Sequence, residues 1–177
     1  MTTNHNELVS TLRTSTTIGA PYRLYLHVMR RIGHHRWFAV FMKRIGSRAD
    51  RALIRASRGR LSMSGPQLPT MLLTTTGRKS GKNRTVALHY VRDANNLVAS
   101  CENFGLNATS SWPLNLRAHP HVLIEMGRTS ARYVGRPATN DEIARHVPRL
   151  IEMWPAHDTY LMRSGSRHVF VFEPADG

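Results

Sequence analysis

Residues 72–91 read LLTTTGRKSGKNRTVALHYV, and the fold depends on how the basic middle of this stretch joins its two apolar ends. Thr70 to Thr76 and Arg84 to Val91 are rich in β-branched and apolar residues, so both read as strands. Between them Gly77 and Gly81 bracket a loop, and Gly81 can supply the left-handed turn conformation that a hairpin needs. Four cations, Arg78, Lys79, Lys82 and Arg84, fall within the seven positions from 78 to 84. The stretch is therefore a β-hairpin whose loop is either a solvated basic tip or a grip for an anion. A nucleotide P-loop needs four residues between its glycines and then Lys-Ser/Thr. Here only Arg78, Lys79 and Ser80 intervene and Lys82-Asn83 follows, so a nucleoside triphosphate is excluded as the anion.

Downstream the same texture continues. Asp93-Ala94-Asn95-Asn96 is a second turn, leading into a strand over Leu97 to Cys101. Ser110 to Ala118 (SSWPLNLRA) reads as a short helix with Pro113 tolerated in its first turn. His121 to Met126 and Ser130 to Arg136 flank the tight turn Gly127-Arg128. Thr139 or Asn140 can cap a helix from Asp141 to about Trp154, which Pro148 is expected to bend. Arg167 to Phe172 is a last strand. About six mostly antiparallel strands with inserted helices predict an α+β, mainly β protein: an antiparallel barrel or strongly curved sheet over residues 61–177.

Upstream the composition differs. Residues 1–18 are rich in Thr, Ser and Asn and are expected to be disordered. Residues 19–60 form a basic amphipathic helical extension, with Pro21 in a first turn and a break at Gly33-His34-His35. Its expected apolar stripe is Tyr25, Val28, Met29, Ile32, Trp37, Phe41, Ile45, Ala49 and Leu53. Opposite stand Arg36, Lys43, Arg44, Arg48, Arg51, Arg55 and Arg58, with Asp50 the one acid. Such a helix suits an anionic membrane interface, and it equally suits packing on the domain with solvated arginines.

Charge narrows the partner. With 25 Lys+Arg against 11 Asp+Glu, an anionic partner is implied: nucleic acid, an acidic membrane, or a phosphorylated or polycarboxylate ligand. The single cysteine, Cys101, excludes an internal disulfide, and the polar N-terminal stretch lacks a secretory core, so a cytoplasmic protein is expected. No apolar run approaches the roughly 20 residues of a membrane-crossing helix. One cysteine with scattered histidines gives no metal set, and the nucleophile elbow and the dinucleotide fingerprint are both missing.

The order LLTTTGRKSGKNRTVALHYV, LVASCENFG, SWPLNLRAHPHVLIEM and MWPAHDTY resembles the deazaflavin-dependent nitroreductase family over roughly residues 60–175. That resemblance implies a split β-barrel and, as cofactor, the reduced deazaflavin coenzyme F420, whose side chain ends in a phosphodiester and a polyglutamate tail. Flavin mononucleotide is an alternative, because related split barrels use it. The resemblance places Gly77, Arg78, Lys79, Gly81 and Arg84 at the phosphate, with Lys82 toward the tail. Such anions are held by backbone donors at a glycine turn with cations beside them. By family position Val86, Ala87, Leu88 and the strand end Ala99, Ser100 and Cys101 line the ring slot, while Trp112 and Asn115 close it, Trp112 serving equally as core. Asn115, between two leucines, is expected to have an assigned partner.

The reaction implied is hydride transfer from reduced F420 to a quinone, nitroaromatic or other hydrophobic, electron-poor acceptor, at or near the inner face of the membrane. Relatives present tyrosines where this chain has Trp154, His157 and Tyr160, and only Tyr160 matches. His157 is a proton-donor candidate, or else a surface residue beside Asp158. A non-catalytic carrier of F420 or lipid is the alternative function. A nucleic-acid-binding barrel ranks lower, since aromatics and cations are not interleaved on the strands.

Overall fold

The computed structural model describes residues 24, 27–28, 31–63, 68–106 and 110–175; the expected disordered tail lies outside them. After helical residues at 31–32 and the break that follows them, the described chain forms helix α1 (Arg36–Phe41), a π-helical turn (Met42–Gly46) and helix α2 (Ser47–Ala56). Then follow β1 (Thr70–Thr76), β2 (Asn83–His89), β3 (Val91–Asp93), β4 (Asn96–Cys101), a 3-10 turn (Asn103–Gly105) and α3 (Ser111–Ala118). The chain continues through β5 (His121–Met126), β6 (Thr129–Pro137), α4 (Asn140–Met153), α5 (Ala156–Ser164) and β7 (His168–Pro174).

The expected hairpin is present. Strands β1 and β2 pair antiparallel from Thr70 opposite His89 to Thr76 opposite Asn83. Its second strand is shorter than expected, because the run Arg84 to Val91 is divided: β2 ends at His89, and Val91 instead pairs with Val98 of β4. This division dictates the shape of the molecule. The seven strands lie in the order β2-β1-β5-β6-β7-β4-β3, all antiparallel neighbours. Strands β2 and β3 are separated in sequence by Tyr90 alone, yet they form the two opposite edges. Only a sheet curled until its edges nearly meet satisfies both facts, and the result is a split barrel.

Alternating side chains fill the inside. Met71, Leu73, Leu97, Ala99, Val122, Ile124, Phe170 and Phe172 form the barrel core with Trp112 and Leu116 of α3. Helix α3 approaches closely because residue 135 of β6 is glycine: a Cβ there would sit 2.6 Å from Leu116 Cδ1. On the outer face Val91, Val98, Val169 and Val171 pack against Leu150, Ile143 and Val147 of α4. Thr139 caps α4 in a reciprocal box with Glu142, as the sequence allowed, and the helix continues through Pro148 without interruption. Helix α5 was not anticipated. It docks on α1 through Tyr160, Trp154, Phe38 and Met42.

The N-terminal helices correct one expectation. The break at Gly33–His35 is observed, but the buried stripe is Phe38, Met42, Gly46, Asp50 and Ile54, one residue out of step with that expected. Trp37 and Ile45 are 61% and 62% exposed. Asp50 is the reason the buried side is unapparent in sequence: it is a buried acid, accepting from the Met63 amide at 2.8 Å and from Ser62 Oγ at 3.4 Å. No described helix is long and apolar enough to cross a membrane.

Candidate functional site

A cleft of about 830 Å³ opens between the β1–β2 hairpin, the end of β4 and helices α1, α2, α3 and α5. That volume accommodates a cofactor-sized molecule. Of the residues singled out from sequence for the site, all border it except Gly81, Lys82 and Ala99.

The loop at one end is rigid by construction. Gly77 N–H donates to Lys82 O at 2.9 Å, while Ser80 and Gly81 donate to Gly77 O at 3.1 and 2.7 Å. Gly81 has φ +64°, a conformation that favours glycine. Asn115, 3% exposed, ties the loop to the barrel: its Oδ1 accepts from Arg78 N–H at 3.1 Å and its Nδ2 donates to Thr75 Oγ1 at 3.2 Å. The glycine turn was expected to hold out backbone donors. Most of those amides are instead consumed within the loop, so cationic side chains provide the attraction for an anion. Arg78, Lys79 and Arg84 line the cleft there, and among the described residues none has an ion-pair partner.

Sequence reasoning missed that α2 adds to this rim. Lys43 and Arg51 also border the cleft and carry no ion pair among the described residues, whereas Arg55 is held by Glu125 at 2.8 Å. The basic helix face thus turns toward the loop cations. The one acid on this side of the cleft, Asp50, is buried and hydrogen-bonded to Ser62 and Met63, so the gathered cations favour an anionic ligand.

From the rim inward the lining becomes apolar. Val86, Ala87 and Leu88 of the edge strand β2 face Trp112, Phe38 and Met42. Trp112 is also core, 5.2 Å from the Phe170 ring centroid. Cys101 is buried, and burial pushes its thiol up to about 11, which keeps it protonated and unreactive. Ser100 Oγ is buried without a hydrogen-bond partner.

The inner end is polar. His157, 9% exposed, places Nδ1 2.9 Å from Glu102 Oε2, while its Nε2 is buried and unpartnered. Glu102, 4% exposed, also accepts from Arg167 Nε at 2.6 Å. Burial pushes the Glu102 carboxyl up, but bonds and charges from His157 and Arg167 outweigh it, and the net shift is downward. The two residues after Glu102 are left-handed, Asn103 at φ 47° and Phe104 at φ 56°, a strained pair of the kind found at functional sites. Tyr160 lines the cleft with its ring, while its hydroxyl donates to Gly33 O at 2.9 Å. His89 borders the same end, its pKa lowered to about 4 by burial and then by the charge of His157. Glu102 escaped the sequence reading because its partners are 55 and 65 residues away; a carboxylate directly after a β-strand was the available signal.

The curled sheet and this cleft define a split-barrel cofactor-binding protein. The chain belongs to the F420H(2)-dependent quinone reductase family, whose model matches residues 46–174. Rv3178 of Mycobacterium tuberculosis (strain ATCC 25618 / H37Rv) is 33% identical over 92 residues, 52% of this chain and 77% of that protein. F420H(2)-dependent quinone reductase Rv1261c of the same strain is 30% identical over 104 residues, 58% of this chain and 66% of that protein. Among solved structures, the F420-H2 dependent reductase FDR-A is 28% identical, covers 59% of this chain and 94% of its own, and superposes with a TM-score of 0.54.

The family's cofactor is coenzyme F420, and the residues fit it. Unpaired cations suit a phosphodiester and carboxylates, the apolar slot suits a planar ring, and the orphaned Ser100 Oγ is a polar atom that a ring edge would satisfy.

Proposed function

We propose that the protein binds reduced F420 in this cleft and serves its oxidation by a quinone or similarly electron-poor, hydrophobic acceptor such as a nitroaromatic. The observation that carries this reading is the continuity of one cleft: a rim of unpaired cations, an apolar slot, then a buried carboxylate–imidazole pair. When bound, the coenzyme supplies a hydride. Arg78, Lys79 and Arg84 bind the phosphodiester, with Lys43 and Arg51 toward the carboxylate tail. Val86, Leu88 and Trp112 exclude water from the ring, and Ser100 orients its edge. His157 holds a proton at the inner end, and Tyr160 shapes the wall with its ring. Proximity of donor and acceptor does most of the remaining work.

Peripheral contact with an anionic membrane belongs to the same proposal. Trp37, Val40, Phe41 and Ile45 are exposed apolar side chains on one helical segment, with exposed Arg36, Arg44 and Arg48 among them. A hydrophobic acceptor would then be collected from the bilayer.

Mixing reduced coenzyme, a soluble quinone and the protein tests the reaction. Fluorescence of the oxidised coenzyme is expected to recover only when both quinone and protein are present. A rate no faster than the protein-free control opposes catalysis, and saturable binding without turnover would leave a carrier.

A further inference from the structure

Glu102 lies just past the end of β4, almost fully buried, where an ionised carboxylate persists only if paired. It is paired twice. Arg167, immediately before β7, donates to one oxygen and His157 of α5 meets the other. Arg167 also reaches Asp158 Oδ1 at 3.1 Å, so the end of β4, the start of α5 and the start of β7 are clamped together at the inner end of the cleft.

This arrangement specifies the protonation of the ring. An ionised carboxylate only accepts hydrogen bonds, so His157 Nδ1 carries a proton toward Glu102. Nε2 is left as the ring's one uncommitted polar atom, buried and without a partner. A buried polar atom left unsatisfied is costly, which favours a bound partner there. The other titratable groups at this end are unsuited to donate: burial pushes the Cys101 thiol up to about 11, and two more are already committed or neutral. Tyr160 has given its hydroxyl hydrogen to Gly33 O, and His89 stays neutral above about pH 4.

We propose that Glu102 and Arg167 are positioning residues that fix His157 with Nδ1–H on Glu102 and Nε2 free to pass a proton to the bound acceptor. The proposal rests on the reductase reading above. A quinone that has received a hydride, and with it two electrons, carries an oxyanion. The Nε2–H bond of the doubly protonated ring breaks, an O–H bond forms, and a hydroquinone leaves. The ring, neutral with Nδ1–H still on Glu102, recovers its proton from water. Carboxylate-oriented imidazoles perform this service in hydrolases, where the carboxylate sets the tautomer without itself taking the proton.

The test uses the full chain labelled with ¹⁵N-histidine and free of coenzyme, with His157→Gln assigning the resonance. In long-range ¹⁵N–¹H spectra at alkaline pH, wild-type His157 is expected in the Nδ1–H form, and Glu102→Gln is expected to move it toward Nε2–H. Glu102→Gln should lower kcat at least 10-fold and His157→Gln about 100-fold, the scale of general acid catalysis, while coenzyme affinity stays within about twofold for both. A wild-type ring protonated on Nε2, or a Glu102→Gln protein with unchanged tautomer and turnover, overturns the proposal. The wild-type spectrum requires no variant to fold. Should the protein fail to oxidise the coenzyme, the reductase reading falls, while the spectrum still decides how Glu102 holds the ring.

Discussion

Asn115 shows how one buried amide can govern a site that it scarcely touches. Its two bonds join α3 to β1 and to the first residue of the cationic loop. Asn115→Ala would strand the Arg78 amide and leave the Thr75 hydroxyl only its bond to Arg84 O, which predicts a loss of about 1–3 kcal/mol in urea unfolding and a several-fold weaker coenzyme affinity as the loop shifts. Sequence identified Asn115 as a residue needing a partner but not which one, because Thr75 and Arg78 are 40 and 37 positions away. The same distance hid the Glu102–His157 pair. His89 gives a pH prediction at this scale. Its folded pKa of about 4 lies below the ordinary 6.5, so the unfolded chain binds the proton first as pH falls. The stability that neutral His89 contributes is complete above pH 6.5 and is lost between there and about pH 4. His89→Asn should flatten the fall in Tm across that window by roughly 5 °C.

The helices α1 and α2 show where pattern reading stops. Two adjacent stripes, Trp37-Phe41-Ile45 and Phe38-Met42-Gly46-Asp50-Ile54, have the same four-residue spacing, and the more hydrophobic one was expected to meet either a membrane interface or the domain. The second stripe packs on the domain: Gly46 leaves room for the Met42 side chain, and the hydrogen-bonded carboxylate of Asp50 anchors the helix to the connector at Ser62 and Met63. Neither property registers as hydrophobicity. As a consequence the cations divide: Lys43 and Arg51 face the cleft, while Arg36, Arg44 and Arg48 remain outside beside the exposed aromatics. Lys43→Ala/Arg51→Ala is expected to weaken coenzyme binding about 10-fold at low salt and less at high salt, where exposed charges are screened, as read by fluorescence anisotropy. Trp37→Gln/Ile45→Gln should leave that affinity unchanged and reduce co-sedimentation with anionic vesicles. Deleting the helices would confuse the two effects, since α2 forms part of the cleft wall.

At the scale of the whole molecule, local chemistry made most strands readable. The β1 and β5 bounds match those expected, because Gly77, Gly81 and Gly127 punctuate the chain where it turns. The seventh strand was hidden, since VALHYV continues without a break while the chain crosses at Tyr90 from one sheet edge to the other. Closure of the barrel, and hence the cleft, is a tertiary fact with no local signature. Helix α5 was missed because Pro155 resembles a terminus, although it serves as the helix N-cap. Closure makes the cleft, and titration of F420 with wild-type protein and with Arg78→Ala/Arg84→Ala shows whether the coenzyme binds there. Saturable fluorescence change at micromolar protein, weakened at least 10-fold by the double substitution and by added salt, is the predicted result. No saturable change, or equal affinity in the two proteins, would contradict it.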